Sequence, residues 1–460
     1  MSAIVTDDLK HTISEFLLED SASTYYVGIG KVDQYDSSDI VSTPLRTNFE
    51  EAEARANLIS IKKVPAGNIS LVIPRYNWVS GTTYSAFSDT SVGIPTNAYY
   101  VLTEDNEVYI CIQQGKTATG ASNVSIVKPS YTAASVTDTA IFETADGYRW
   151  KFAYSLSASR ANTFLTSGFI PIEYVKNIGS PNTFQAQQNK VETTADSGAI
   201  VGVRIIDGGS GYTGSTTSIK FRGDGHSASA TATISGGSIV KVEMDDSDAG
   251  TQAVTGGGGK NYTYASASFT GDATLKPILS SKNGLGSDLV RDLKCTSVMF
   301  NAKLSGSENG TINTDNDFRQ ITLLRNLTEN NSGANINGTG YKVGRSILMD
   351  ATVAGIGADA TITDDTSGVT ATVVEVDSDG SALPSAGKTI FRFIQNQNNI
   401  IGPFTAGGNI NGGTGTIDGS SGDSDGLVDI NSGEMLYIEN RSKVQRSTSQ
   451  SEDIKIILTV

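Results

Sequence analysis

The chain has 460 residues, of which 38% are apolar and only 18% are charged, and its formal net charge is −15. Its length predicts two or three domains, and its 49 glycines predict many turns and short strands rather than long helices. The negative charge argues against nucleic acid or an anionic membrane as a partner, because both would repel the chain.

The N-terminal part predicts a mixture of helices and strands. Thr6 can cap a first helix, in which Leu9, Ile13, Phe16 and Leu17 share one apolar face. The stretch STYYVGIGKV then predicts a strand, and NFEEAEARANLI predicts a short helix with its acidic residues first. From there to about residue 174, strands and turns alternate, apart from a short helix predicted in SASRANTFLTS.

Residues 195–275 contain an internal duplication. The stretch GAIVGVRIID at Gly198 returns as GSIVKVEMDD at Gly237, an offset of 39 (237 − 198). Each copy continues through a glycine-rich turn with a tyrosine, GGSGYT and GGGGKNYT, and ends on a similar corner, FRGDG and FTGDA. Repeated short β units of this kind predict an inserted β-repeat domain.

Residues 335–430 form a second glycine-rich stretch, in which GVTATVVEVDSDG alternates like a strand and ends in a turn. The denser strands on either side resemble the N-terminal part in composition. We therefore predict a mainly β protein with few short helices, in which residues 1–194, 276–334 and 431–460 form one core domain. Residues 195–275 and 335–430 would interrupt that core as two β insertions.

The two cysteines, Cys111 and Cys295, match no metal or redox spacing and lie in strand-like stretches, which predicts buried free thiols. The N-terminus lacks the basic and apolar regions of a signal peptide. No stretch approaches the ~20 apolar residues that span a bilayer. We expect a soluble protein made in a reducing cytoplasm.

The sequence offers little for catalysis. Its only histidines, His11 and His226, have no nucleophile motif beside them. Paired carboxylates, as in glycoside hydrolases, need no proximity in sequence and stay open as an alternative. We predict that the protein is not an enzyme and that it uses no cofactor.

Three short motifs are interpreted as turns. SAGKTI at Ser385 resembles the end of a phosphate-binding loop but precedes a strand pattern rather than a helix. The tripeptide RGD at Arg222 occupies the corner of the repeat. The acidic turns lack the full spacing of a calcium loop, so solvated turns are favoured over weak calcium binding; these turns contain Asp245, Asp246, Asp248, Asp418, Asp423 and Asp425.

Both tryptophans fall in the strand-rich N-terminal part. Trp78 follows Arg75 and Tyr76, and Trp150 follows Tyr148. Such rings either pack in a core or, together with arginine, anchor a protein interface. Both interpretations stay open.

Five segments in this order resemble one known family: VIPRYNWVSGTTY, NEVYICIQ, ADGYRWKFAYSL, NDFRQITLL and SGEMLYIENR…SEDIKIILTV. The family is that of baseplate wedge subunit eight of T-even-like contractile-tailed bacteriophages. The resemblance covers about residues 1–175, 285–330 and 430–460, and the C-terminal segment is its most specific part. The two glycine-rich insertions lie outside it.

The resemblance implies a β-sandwich core that includes the C-terminal strands, and a structural function in the tail baseplate of the virion, with assembly in the host cytoplasm. The partners would be a second copy, giving a homodimer, and other wedge proteins. The subunit would help to relay the rearrangement that triggers sheath contraction. The run Ile454, Ile456, Leu458 and Val460 supports the strand independently, because these apolar residues alternate.

The resembling segments supply the candidate residues for an interface or for the core, and Glu439 with Arg441 would form a fixed ion pair or an interface contact. The candidates are Arg75, Trp78, Tyr84, Asp146, Tyr148, Trp150, Arg319, Glu434, Tyr437, Glu439 and Arg441.

Two other functions are weighed against this one. A receptor-binding or tail-fibre-type protein would bind host surface polysaccharide through its insertions, with aromatic side chains near Tyr212, Tyr262 and Tyr264 exposed. A depolymerising enzyme would use paired carboxylates. Fibres usually carry long repeat arrays, whereas this chain has one duplication inside a non-repetitive core, which favours the wedge subunit.

Overall fold

The computed structural model describes residues 4–20, 22–33, 40–130, 141–174, 182–245, 257–377, 387–420 and 422–460. The protein is mainly β, with 41% strand and 11% helix, which confirms the predicted fold class. The chain divides into two compact units. The first unit comprises residues 1–19, 70–299 and 457–460, and the second comprises residues 20–69 and 300–456. The boundaries proposed for the core and its insertions stay a prediction.

The helices are short, and the second to fifth are capped at their N-termini by the side chains of Thr47, Ser157, Asn182 and Asp288. Asn182 and Gln185 form a reciprocal capping box at the start of the fourth helix, which the sequence analysis did not predict. The three helices that were predicted are present. The helices are α1 (Asp7–Glu19), α2 (Asn48–Ala56), α3 (Ala158–Phe164), α4 (Thr183–Thr193) and α5 (Leu289–Asp292).

The strands fall into three stretches of the chain. The first holds β1 (Tyr25–Gly30), β2 (Leu58–Val64), β3 (Ile69–Pro74), β4 (Tyr100–Leu102), β5 (Glu107–Gln113), β6 (Ile141–Glu143), β7 (Arg149–Ser155) and β8 (Phe169–Pro171). The second holds β9 (Ile200–Asp207), β10 (Thr216–Gly223), β11 (His226–Ser235), β12 (Ser238–Met244), β13 (Gly258–Lys260), β14 (Ala265–Ser268) and β15 (Thr274–Leu279). The third holds β16 (Ser297–Ser305), β17 (Asp317–Arg325), β18 (Thr328–Glu329), β19 (Gly340–Lys342), β20 (Arg345–Leu348), β21 (Thr361–Thr363), β22 (Thr370–Asp377), β23 (Ile390–Ile394), β24 (Asn409–Ile410), β25 (Gly415–Thr416), β26 (Asp423–Ser424), β27 (Val428–Asp429), β28 (Glu434–Gln445) and β29 (Ser451–Thr459).

In the first unit, one antiparallel sheet has the order β4-β5-β7-β6. All seven residues of β7 are buried, including the polar or charged Arg149, Lys151 and Ser155. The core of this sheet is largely aromatic, and rings contribute area as well as edge-to-face contacts. It contains Tyr84, Val101, Tyr109, Cys111, Phe142, Tyr148, Trp150, Phe152 and Val191.

The duplicated module, also in the first unit, exchanges its strands between the two copies. The first copy supplies β9, β10 and β11, and the second supplies β12, β13, β14 and β15. β9 pairs with β15 and β12 pairs with β11, so the first strand of each copy pairs with the last strand of the other. The middle strands, β10 and β14, pair with each other.

The corners of the module repeat this reciprocity. Asp224, in the corner of the first copy, accepts a hydrogen bond from the backbone N–H of Thr263 in the turn of the second copy (2.9 Å). Asp272, in the corner of the second copy, accepts one from the backbone N–H of Ser210 in the turn of the first copy (2.9 Å). The sequence RGD thus belongs to a corner of the repeat, as predicted.

In the second unit, a five-stranded antiparallel sheet has the order β19-β2-β1-β17-β28. All six residues of its central strand, β1, are buried. At Gly28 a Cβ atom would lie 2.5 Å from Thr322 Oγ1 and 2.6 Å from Leu58 Cδ2, so this strand needs glycine there.

The second glycine-rich stretch forms a separate sheet within the second unit, in the order β21-β22-β23-β20-β26. It has a hydrophobic core of its own, as expected for a stretch that folds around its own strands. This core consists of Ile347, Met349, Val353, Ile362, Val369, Ala371, Val373, Phe391, Phe393, Phe404, Ile410 and Ile417.

The C-terminal strands are integral parts of sheets. β28 pairs with β17, and β29 pairs with β16. In β29 the predicted alternation buries Ile454 and Ile456, which are 6% and 1% exposed, whereas Leu458 is only partly buried.

The turn that joins β28 to β29, in the second unit, is held by a buried arginine. Arg446 is 2% exposed and donates to Glu452 Oε2 (2.9 Å) and to the carbonyl oxygens of Asn313 (2.6 Å) and Gly306 (3.0 Å). The guanidinium group therefore satisfies one carboxylate and two backbone acceptors at once.

Candidate interaction site

The candidate rings of the first unit lie in the aromatic core. Tyr84, Tyr148 and Trp150 are each at most 1% exposed. Tyr148 stacks on Trp150 with 5.6 Å between ring centroids, and Tyr84 meets Trp150 edge-on at 5.7 Å. These three side chains serve packing.

Asp146 is the polar centre beside these rings. Its Oδ2 accepts hydrogen bonds from the backbone N–H groups of Ile126 (2.7 Å) and Val127 (2.9 Å), and Thr144 donates to its Oδ1. Burial by itself raises the pKa of this carboxyl, but the hydrogen bonds from Thr144 and from these backbone groups outweigh burial and lower the pKa. The ionised carboxylate fixes the loop before residue 130.

Trp78 and Arg75 lie at the border of this group. Trp78 is partly exposed and donates from Nε1 to Ser125 Oγ (3.1 Å), and Ser125 in turn bonds to Asp146 (3.2 Å). Arg75 donates to the carbonyl oxygen of Thr166 (2.8 Å). Of the candidates in the first unit, these two and Asp146 are partly exposed and so remain accessible to a partner.

The candidates of the second unit lie along β17 and β28. Arg319 donates to Asp317 Oδ2 (2.8 Å), and Glu434 pairs with Arg325 across the two strands. The ion pairs of Asp317 with Arg319 and of Arg325 with Glu434 therefore hold these charged side chains in fixed positions.

On β28 itself, Tyr437 donates from its hydroxyl to Glu439 Oε2 (2.8 Å), and Arg441 lies over the ring of Phe318 at 5.9 Å. Within the described residues no ion pair joins Glu439 to Arg441. The alternative, that they contact a partner, stays a prediction.

The first unit contains two buried ionisable side chains that interact electrostatically, Asp292 and Lys151. Asp292 and Lys151 are 2% and 5% exposed, and Asp292 Oδ2 accepts a hydrogen bond from the backbone N–H of Gly286 (2.6 Å). Burial raises the pKa of Asp292 to about 7, although hydrogen bonds and Lys151 oppose the shift. Burial lowers the pKa of Lys151 to about 8.

The first helix presents its faces in an unexpected orientation. His11 and Ser14 are its buried residues, and His11 Nδ1 lies 2.8 Å from the carbonyl oxygen of Cys295. The predicted apolar face points to solvent: Leu9, Ile13 and Phe16 are 51%, 38% and 57% exposed. The periodicity identified which residues share a face, but not which face is covered.

An acidic cleft adjoins this helix. Its volume is about 430 Å³, and Glu15 of α1 is one of its walls. The cleft has four carboxylates and one guanidinium group, which belong to Glu15, Glu173, Glu192, Asp288 and Arg291. Sequence reasoning missed it because these residues come from four separate stretches of the chain.

A second, smaller cleft has the opposite charge. It measures about 310 Å³ and is lined by Lys116, Arg204 and Lys241 among apolar and amide side chains. Arg204 pairs with Asp89 (2.7 Å), and Lys241 pairs with Glu243. Two of its three cations are therefore neutralised.

The acidic turns are engaged by protein groups. Lys388 Nζ lies 2.6 Å from Asp418 Oδ2, and Arg345 pairs with Asp423 and Asp425. Thr231 donates to Asp245 (2.7 Å), whereas the predicted turn at 246–248 and Ser385 lie outside the described residues. Within the described ranges, no three histidine, cysteine or carboxylate side chains are grouped so that they could hold a metal ion.

Both cysteines are buried free thiols, as predicted. Burial raises the pKa of Cys295 to about 12 and that of Cys111 further still. Among the described helices, none combines the length and apolar character needed to cross a bilayer. Comparison of the sequence with models of protein families and with curated proteins gave no match.

Proposed function

We propose that the protein is a structural subunit of a contractile phage-tail baseplate wedge, which joins neighbouring wedge proteins and relays the rearrangement that triggers sheath contraction. One observation carries the proposal. The resembling segments NDFRQITLL and GEMLYIENR are separated by about a hundred residues and by a whole β insertion, yet they pair as β17 and β28. Leu323 lies opposite Tyr437, and Ile321 lies opposite Glu439.

The resembling segments of the first unit are also neighbours. β5 and β7, from NEVYICIQ and ADGYRWKFAYSL, pair along Glu107–Gln113 and Arg149–Ser155. The hydroxyl of Tyr84, from VIPRYNWVSGTTY, accepts a hydrogen bond from the backbone N–H of Val79. The backbone N–H of Tyr84 donates to the hydroxyl of Tyr148 (3.2 Å). If the chain has kept the core of the resembled family, the segments that show the resemblance should also pack together, as these do.

A wedge subunit needs rigid surfaces that transmit displacement, rather than a reactive pocket. The cross-strand ion pairs of the second unit meet this need, because Arg325 with Glu434 and Asp317 with Lys443 (3.7 Å) restrain β17 and β28 on a fixed register. The wedge subunit of the resembled family is a homodimer, so a self-complementary surface is part of the proposal.

Light scattering across a size-exclusion peak, under reducing conditions, tests the proposal. One chain is 48.2 kDa, so a dimer has a mass of about 96 kDa (2 × 48.2) and a trimer about 145 kDa (3 × 48.2). The wedge function requires the dimer. A trimer would contradict it and would favour the receptor-binding alternative.

One observation favours that alternative, a receptor-binding or tail-fibre-type protein whose modules bind host polysaccharide. Tyr264, in the duplicated module, is 66% exposed, although Tyr262 beside it is only 4% exposed. Exposed rings stack on sugar faces. Glycan-array binding that is lost in Tyr264→Ala and kept in Tyr174→Ala, a tyrosine variant outside the module, would support it; no binding at all would leave the module as a packing element.

A further inference from the structure

The outward face of α1 is an apolar stripe in aqueous solvent. Leu9, Ile13 and Phe16 recur at intervals of four and three residues, so they lie in one row along the helix. Ile4 and Val5, which precede the helix, are also exposed, at 87% and 65%. A continuous apolar row of this kind marks an interaction surface rather than scattered exposure.

A neighbouring loop lengthens this surface. The backbone N–H of Gly93 donates to Asp7 Oδ2 (3.0 Å), which holds the loop against the start of α1. Val92 and Ile94, on either side of that glycine, are 82% and 40% exposed. The polar side of the helix is meanwhile anchored through His11. The helix is thus fixed with its apolar side outward.

One flank of the stripe is acidic. Asp8, Glu15 and Glu19 follow one another at intervals of seven and four residues, which places them on the same side of the helix. Arg291 lies 3.3 Å from Asp8 and 3.6 Å from Glu15, so one cation faces several carboxylates. Tyr174 donates to Glu19 (2.6 Å).

The acidic flank leads directly into the acidic cleft. Glu15 belongs to both, and the cleft is also lined by Glu173, Glu192 and Asp288. Arg160 pairs with Glu173 (3.0 Å) and Arg291 pairs with Asp288, so the four carboxylates exceed the two guanidinium groups by two charges (4 − 2). The volume of about 430 Å³ is enough for the end of a long side chain. An apolar row therefore runs beside a recess that attracts positive charge.

These charges identify the occupant. In an antiparallel two-fold pair of identical helices, like flanks face each other, so Asp8, Glu15 and Glu19 of two copies would repel. An anionic lipid surface would be repelled in the same way. A segment with an apolar face and lysine or arginine on its flank matches both parts of the surface.

We propose that α1 and the adjoining acidic cleft form a docking surface for an amphipathic segment of another protein. Its apolar residues lie on Leu9, Ile13 and Phe16, and one of its lysine or arginine side chains enters the cleft beside Glu15 and Glu192. This inference concerns only the first unit and does not depend on the baseplate assignment.

Fluorescence anisotropy with the full chain tests the proposal. The probe is a labelled synthetic amphipathic peptide with leucines on one helical face and lysines on the flanks, and its counterpart carries glutamate in place of every lysine. We expect the lysine peptide to bind and the glutamate peptide not to bind. The double variant Leu9→Ser with Phe16→Ser weakens binding at least about tenfold. Because this variant keeps every charge, diffuse attraction to an acidic protein cannot mimic the loss.

Two controls separate the outcomes. Ile400→Ser with Ile401→Ser removes an equally exposed apolar pair, 62% and 66% exposed, and leaves binding unchanged. Glu192→Gln weakens binding more than Asp365→Asn, which removes the same charge at an exposed site in the second unit. Equal binding by all of these variants would overturn the proposal.

The light-scattering masses of the wild type and of the double variant provide a further test. If the Leu9→Ser and Phe16→Ser double variant lowers the light-scattering mass from dimer to monomer, the occupant is a second copy and the proposed partner is wrong. If the mass is unchanged and the lysine peptide still binds in a stripe-dependent way, the docking surface stands whatever the oligomeric state proves to be.

Discussion

The buried carboxyl of Asp292 makes the stability of the first unit depend on pH in a window where an ordinary aspartate has no effect. Its pKa is about 7 in the folded chain and about 3.9 in an unfolded one. Between these values the folded state holds a proton that the unfolded state has released, so stability falls as pH rises. The contribution is fully present below pH 4 and is lost by about pH 7.

The size of the effect follows from the width of the window. One proton changes the free energy of unfolding by about 1.36 kcal/mol per pH unit, so a window of about three units amounts to roughly 4 kcal/mol. Asp292→Asn removes the titration and therefore this slope. Lys151 does not interfere, because its pKa of about 8 lies below the ordinary lysine value and its own contribution changes only above pH 8.

Tryptophan fluorescence measures this unit alone, because Trp78 and Trp150 are the only tryptophans and both belong to it. Urea unfolding at pH 4, 5, 6 and 7 should show the wild type losing stability relative to Asp292→Asn as pH rises. Asp105→Asn, at a largely exposed carboxylate, is the matched control and should follow the wild type. Parallel profiles for the wild type and Asp292→Asn would refute the reasoning.

Three further predictions concern the second unit, the C-terminus and the thiols. Arg446→Met should destabilise the second unit by about 3–5 kcal/mol, because it leaves the Glu452 side chain, which is only 11% exposed, without its cation. Hydrogen exchange of β17 amides should detect the loss, and Arg446→Lys should recover part of it. Deletion after Arg441 removes β29 with Ile456 and should give insoluble protein; a soluble, cooperatively melting product would contradict the strand placement. Cys295 should resist iodoacetamide in the folded chain and react in urea, since burial raises its pKa to about 12; rapid labelling of folded protein would show that the thiol is accessible.

Local patterns in the sequence were sufficient to predict many elements but not what each face contacts. The helix at Asp7–Glu19 was predicted from its periodicity, yet the same periodicity could not tell that His11 and Ser14 would be the buried residues. That depends on a hydrogen bond between His11 and Cys295, 284 positions apart. α4 was missed although its capping box is present in the sequence, because its apolar periodicity is weak.

The candidate site shows the same limit. Trp150 and Tyr148 were recognised as important rings, but whether they serve a core or an interface depends on strands that the sequence does not place beside each other. The acidic cleft was missed because Glu15, Glu173 and Asp288 converge only through tertiary structure. Pairings such as β17 with β28 likewise depend on contacts between residues that are distant in sequence.

The exchanged strands of the duplicated module point to how this part of the chain arose. A single copy could make the pairings of β9 with β15 and of β12 with β11 only with a second, identical copy, as two chains in a symmetric dimer do. Tandem duplication of the coding segment would then have joined the two partners into one polypeptide. A consequence survives in biosynthesis: Ile200 must wait for Leu279 to leave the ribosome before its strand can be completed, so the module folds only after both copies have been made.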